Sequence, residues 1–315
     1  PAEQAMIRET FSRLVVLTSL VLSIPTLAFG DEFESVRRRI RTYVNEEGVP
    51  SVAVAAVRGS DIVWVEAFGW ADAENRVPAT SHTPYMLAST SKPITATAVM
   101  VAVEKGHLKL DASVNHYLRA SPFRSRLGDA SKVTVRDVLL HRSGIANHSE
   151  AYVLHEEFRP PSAEALIRNY GWTMIPHGEF HYSNLAFSSL ADAIANATGN
   201  TFASFVHREV LEPLGMKDTI VPEPGMQPQA AAVRYGKKTR LRDFSTSMVP
   251  AAEIYSSASD LARFAVFHLK QELSGAQKIL SDTSIDEMQT CTIPIRFFHY
   301  SYGLGWSVGH DKKGR

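Results

Sequence analysis

Ser89 and Lys92 stand three positions apart at the mouth of an apolar run, residues 94–103. In a helix that spacing puts both side chains on one face. A free hydroxyl is a weak nucleophile and needs a base beside it. A Lys held against apolar surface gives up its proton more readily, because burial disfavours the charged form. The positive end of a helix near the Ser adds free N–H groups and a favourable field. The pair therefore predicts an acyl-transfer nucleophile with its base built in. No other S-x-x-K occurs in the chain. The bland alternative is a surface turn with a capping Ser. Against it, the run that follows is too hydrophobic for a surface helix, with Pro93 in its first turn and Gly106 as its stop.

A second group follows Gly178: Phe180-His181-Tyr182-Ser183-Asn184, a polar loop ahead of a helix. At a loop tip, the Tyr-x-Asn spacing of Tyr182 and Asn184 can point a phenol and an amide into one space. A phenol beside a Lys relays protons, because a cation favours the phenolate. An amide holds a carbonyl and orients the Lys. The competing reading is a loop-to-helix cap.

These residues need elements to hold them. Residues 32–45 are charged and amphipathic, which predicts a surface helix. Residues 51–57 and 62–69 are rich in Val, Ala and aromatics around the turn signal Arg58-Gly59-Ser60-Asp61, so they predict a β-hairpin. From about residue 83 to 290 the pattern is mainly helical. Residues 186–197 place Phe187, Leu190 and Ile194 on one face before Gly199. Residues 201–211 start with a capping Thr and end at Pro213. Ser259 is expected to cap a helix that carries Leu261, Phe264 and Leu269. Residues 300–308 turn strand-like again. Strands at both ends and helices between predict one sheet interrupted by a helical insertion.

The chain has 315 residues, of which 44% are hydrophobic and 21% charged, ordinary values for a folded protein. Lys plus Arg equals Asp plus Glu, and no basic stripe appears, which argues against nucleic acid as a partner. The single cysteine, Cys291, has no internal partner for a disulfide. No H-E-x-x-H occurs, and His155-Glu156-Glu157 lacks the second His, so no metal is expected. Near the start, Met6 with Arg8 and Arg13, an apolar core over residues 14–27 and Ala28-Phe29-Gly30 predict an export leader cleaved after Gly30. The core is short for a membrane span and broken by Pro25, so no stable membrane anchor is expected. The mature chain is expected to be periplasmic or extracellular.

Taken in order, several segments resemble the serine β-lactamase and penicillin-binding superfamily. They look most like the branch of class C β-lactamases, D-stereospecific peptidases and family VIII esterases. Met86-Leu87-Ala88-Ser89-Thr90-Ser91-Lys92 resembles the nucleophile segment. Residues 133–144, ending His141-Arg142-Ser143-Gly144, are similar to the family's segment ending H-x-S-G. Residues 178–184 resemble G-x-x-F-x-Y-S-N. Residues 213–219 resemble P-L-G-M-x-D-T, residues 256–264 the S-x-x-D-L-A-R-F helix, and residues 302–306 the strand before the third motif.

The resemblance implies a β-lactamase/transpeptidase-like fold, α/β plus all-α. An antiparallel sheet (residues 31–82 and 295–315) would carry a large helical part (residues 83–294). It implies Ser89 as the acylated nucleophile and Lys92 as base or as the group tuning Tyr182. Tyr182 would move the proton, Asn184 would bind the acyl side of the substrate, and no cofactor would be needed. The substrate would be a small ester, amide, β-lactam or peptide. The alternatives are a non-hydrolysing penicillin or cell-wall-peptide binder, or an inactive fragment. Ser113-Val114-Asn115 is read as a turn, and His141 with Ser143 as structural rather than as parts of a triad. Lys312-Lys313-Gly314 fits the third motif, Lys- or His-x-Gly, but is read as a hairpin turn. The true motif, the joining strands and a closing helix are therefore expected beyond Arg315.

Overall fold

A computed structural model describes residues 32–148, 150–155, 158, 160–176, 178–223, 225–236, 239–290, 293–294 and 300–309. The expected leader, Cys291 and Lys312-Lys313-Gly314 lie outside the described residues. The chain divides into two compact units, residues 1–40 and 41–315. Described residues of the first include the leading part of helix α1 (Glu34–Asn45), with Glu34 in its first turn, where a carboxylate suits the helix dipole.

In the second unit, the expected hairpin follows the end of α1. Strands β1 (Ser51–Arg58) and β2 (Asp61–Asp72) pair antiparallel from Ser51↔Gly69 to Arg58↔Asp61, with an irregularity at Ala56/Val57. Alternation puts Trp64 inside, at 8% exposure, and leaves Val63 outside. Strand β3 (Val77–Pro78) adds to β2. The short strand β4 (Tyr85–Met86) then leads into helix α2 (Ser91–Glu104). Ile94, Val99 and Met100 of α2 are buried. Each contributes about 1.5–3 kcal/mol relative to exposure.

Helices α3 (Val135–Leu139) and α4 (Ala163–Tyr170) pack on helix α5 (Asn184–Thr198), which itself packs on α2. Thr134 opens α3 with a reciprocal capping box to Asp137. Ser183 caps α5 through its side chain, and Gly199 ends it in the left-handed conformation, φ 73°. Thr201 caps helix α6 (Phe202–Val206) as expected. Pro213 does not end this stretch. A π-turn over His207–Leu211 carries the helical path into Glu212–Leu214, and Pro213 sits in the first turn of that piece, where its missing N–H costs nothing. The stop is Gly215, φ 68°.

Helix α7 (Val249–Ala252) and strand β5 (Tyr255–Ser256), which pairs with β4, precede helix α8 (Ala258–His268). The cap of α8 is Ser257, whose Oγ accepts from Asp260 N at 3.1 Å, not Ser259. Ser257-x-x-Asp260 is the spacing of a capping box, and Ser259 falls inside the first turn. Helix α9 (Asp282–Gln289) follows.

Strands β6 (Ile293–Pro294), β7 (Tyr300–Tyr302) and β8 (Ser307–Gly309) form an antiparallel sheet in the order β6-β7-β8. The strand expected over residues 300–308 is thus two strands. Gly303 N donates to Trp306 O at 2.8 Å, and Gly305 at φ 77° reverses the chain. Among the described residues this sheet and β1-β2-β3 are separate, each keeping an open edge, rather than one continuous sheet. Helix α8 packs on β1 and β2.

Candidate active site

Ser89 lies on a 3-10 turn, Ala88–Thr90, directly ahead of α2, and it is exposed. Ala88 holds φ 48°, a region that side chains with a Cβ disfavour. The strain is fixed from outside. Leu87 N donates to Ile254 O at 2.9 Å, and Ile254 N donates to the buried Ser91 Oγ at 3.1 Å. Strand β4 pairs with β5 one step earlier. The turn that carries Ser89 is therefore clamped onto residues 254–256, which suits a strained functional position.

Lys92, one turn on, is 1% exposed. Its Nζ lies 2.8 Å from Asn184 Oδ1, 2.8 Å from Ala251 O and 3.3 Å from Ser89 Oγ. Burial lowers its pKa to about 7. The three contacts differ in kind. Asn184 Oδ1 and Ala251 O only accept, whereas a Ser hydroxyl also donates. A neutral amine has two N–H groups and one lone pair. It satisfies the two pure acceptors and turns the lone pair toward Ser89. Ala251 had no sequence signal: it acts through a backbone carbonyl, placed by the turn of α7.

Tyr182 OH lies 2.9 Å from Ser89 Oγ. The expected lowering of the phenol by Lys92 is not found. Burial raises the Tyr182 pKa, and the hydrogen bond with Ser89 opposes that only in part. The Lys92 nitrogen sits 4.7 Å from the centre of the Tyr182 ring, over its face. The structure thus brings Ser89, Lys92, Tyr182 and Asn184 together from two distant segments.

The loop carrying Tyr182 is held by residues 141–147. His181 N donates to His141 O at 2.6 Å, and Gly178 N donates to Arg142 O at 2.9 Å. Ser183 N donates to His141 Nδ1 at 3.2 Å, and Ser183 Oγ donates to Ala146 O at 3.2 Å. Asn184 N donates to Asn147 Oδ1 at 2.8 Å. Ser143 Oγ accepts from Ile145 N at 3.3 Å, a turn contact and not a triad contact. Asn115 likewise serves a turn, with its amide paired to Phe123 N and O at 2.8 and 2.9 Å. Among the described residues no cluster of His, Cys, Asp or Glu would hold a metal ion.

Gly305 supports the site from behind. A Cβ there would stand 2.6 Å from Ala96 Cβ and 3.3 Å from Lys92 O, at φ +77°. Gly305 N also donates to Leu139 O at 3.1 Å. Gly305→Ala is expected to destabilise the protein by about 2–4 kcal/mol, combining left-handed strain with overpacking against α2. Thermal unfolding checks this; an unchanged midpoint would mean α2 shifts freely.

The chain matches the β-lactamase family over residues 36–314. It is 28% identical over 182 residues to penicillin-binding protein 4* of Bacillus subtilis (strain 168), covering 56% of this chain and 39% of that protein. It is 35% identical over 122 residues to the human mitochondrial serine beta-lactamase-like protein LACTB, covering 39% of this chain and 22% of that protein. The aligned part is thus well under half the length of these two relatives. The octameric penicillin-binding protein homologue of Pyrococcus abyssi superposes with TM-score 0.68 at 24% identity, over 87% of this chain and 63% of that one. The penicillin binding protein of Bacillus halodurans does so with TM-score 0.68 at 19% identity, over 90% and 84%. These two superpositions establish the fold, and the match across residues 36–314 places the chain in the β-lactamase family.

Proposed function

We propose that the chain is a serine hydrolase that works through an acyl-enzyme on Ser89. One observation carries this reading: an exposed Ser89 Oγ within reach of both a buried Lys92 Nζ, at 3.3 Å, and Tyr182 OH, at 2.9 Å. Neutral Lys92 takes the Ser89 proton as Oγ bonds to the substrate's carbonyl carbon, and the carbonyl electrons move onto its oxygen. Collapse of that intermediate expels the leaving group, and Tyr182 hands it a proton that Lys92 returns to the phenol. Water then attacks the ester by the same route in reverse, freeing Ser89. Lys92 is the base in this reading, because burial brings it near neutrality while it keeps Tyr182 protonated. Asn184 fixes Lys92 and offers its amide to the acyl side of the substrate.

The substrate class is a small ester, amide or β-lactam, processed in the manner of class C β-lactamases, D-peptidases or family VIII esterases. The test uses a fluorescent β-lactam and a short-chain p-nitrophenyl ester on the full chain. Turnover of either is the expected result. Covalent labelling without turnover of any substrate would instead identify a non-hydrolysing binder, and neither labelling nor turnover would overturn the proposal. Export is proposed on residues 6–30. Among the described residues no helix is long and apolar enough to cross a membrane.

A further inference from the structure

His141 does more than fill space behind the site. It is fully buried and holds φ 55°, a left-handed conformation without glycine's freedom. Its backbone oxygen accepts from His181 N at 2.6 Å, and its ring Nδ1 accepts from Ser183 N at 3.2 Å. One residue therefore grips the chain on both sides of Tyr182. Its ring also faces the Tyr182 ring, with centroids 4.1 Å apart and planes tilted by 37°. Phe187 and Tyr302 close around the same imidazole at 5.5 and 4.9 Å.

The hydrogen-bond chemistry fixes the tautomer. An Nδ1 that accepts from a backbone N–H carries no proton, so the proton of the neutral ring sits on Nε2. Nε2 is buried and finds no hydrogen-bond partner among the described residues. Burial and the nearby Lys92 and His181 keep the ring uncharged, which the Nδ1 contact requires. A buried N–H with no classical acceptor has a cost. An aliphatic side chain would avoid it, but would leave Ser183 N without an acceptor and Tyr182 without a ring to lie on.

We infer that His141 is a positioning residue for Tyr182: it sets the phenol oxygen over Ser89 Oγ by accepting from the N–H groups of residues 181 and 183 and by packing its ring against the ring between them. The inference rests on the reading of Ser89 as nucleophile and Tyr182 as proton carrier. It extends that reading to a residue that touches no substrate.

The test measures acylation of the full chain by a fluorescent penicillin, with the binding constant and the rate of the covalent step separated. His141→Asn keeps an acceptor at the place of Nδ1 and tolerates the left-handed backbone. His141→Phe keeps a ring and loses the acceptor. The Asn variant is expected to acylate within about threefold of the parent, and the Phe variant to lose about tenfold or more in the covalent step at unchanged probe binding, on the scale of misplaced proton-transfer groups. The Phe effect should largely vanish in a Tyr182→Phe background, since a residue acting through Tyr182 has nothing left to position. A full additional loss in that background, or a Phe variant as fast as the parent, would overturn the inference. Nitrogen NMR of the parent protein decides it even if a variant fails to fold: the expected signal is a neutral Nε2–H ring, and an Nδ1–H tautomer would refute the Ser183 contact. An adduct that maps away from Ser89 marks failure of the underlying reading instead.

Discussion

Ser89→Ala is expected to abolish covalent labelling by a fluorophosphonate or a penicillin and to leave the fold intact. Ser89 is exposed on its 3-10 turn, and that turn is fixed by Leu87, Ser91 and strand β4 rather than by the hydroxyl. Removing Oγ costs the contacts to Tyr182 and Lys92, about 0.5–1.5 kcal/mol per hydrogen bond at most. Lys92 keeps Asn184 and Ala251 as acceptors, so no buried charge is stranded. The loss of labelling, by contrast, should be complete, because among the described residues no other hydroxyl is paired with both a Lys amine and a Tyr phenol. Ser143 is buried and occupied by Ile145 N, and Ser113 lies in the turn after α2. Intact mass and peptide mapping of the labelled parent locate the adduct. An adduct on Ser143, or labelling of the Ala variant, would overturn the assignment.

The candidate site residues are legible because their geometry is local. S-x-x-K is one helical turn, and Y-x-N is a loop running into a cap, so each motif carries its own structure. Meeting across 92 positions is not local, and only the resemblance to a family brought Lys92 and Asn184 together in advance. What could not be read divides by cause. Ala251 contributes a carbonyl, and a backbone atom leaves no trace in residue type. Lys92 was expected to pull the phenol of Tyr182 down, but the outcome depends on where the ammonium stands. It stands over the ring, and burial then dominates. Ser257 is readable from Asp260 three positions on, whereas Ser259, the expected cap, stands closer to the apolar residues and falls inside the first turn. The turn at Gly303–Gly305 hid because Tyr-Ser-Tyr and Trp-Ser-Val on either side share strand composition. Pairing of β7 with β8, not propensity, sets the reversal.

Lys92→Ala and Tyr182→Phe should each slow acylation on the order of a hundredfold or more, the range for positioned acid–base groups. Their effects should not multiply. Both side chains reach the same Ser89 oxygen, and Lys92 Nζ also lies over the Tyr182 ring, so either change breaks one proton path. Lys92→Ala additionally leaves Asn184 Oδ1 and Ala251 O without this donor, so thermal unfolding must accompany the kinetics. The pH dependence separates the two roles. Burial depresses the Lys92 pKa from its ordinary 10.5 to about 7, so the neutral, basic form grows as pH rises through about 7. Acylation by the parent should therefore climb across that interval and level off above it. Burial raises the Tyr182 pKa, so the phenol stays protonated throughout the climb and does not shape it. Tyr182→Phe should keep the rising limb near pH 7 at a lower plateau, and Lys92→Ala should lose the limb. If Lys92→Ala retains the limb while Tyr182→Phe abolishes it, Tyr182 is the base and the Lys lone pair has no part in the first step. A double variant whose loss equals the product of the single losses would mean that the two groups act independently, and the single proton path would have to be abandoned.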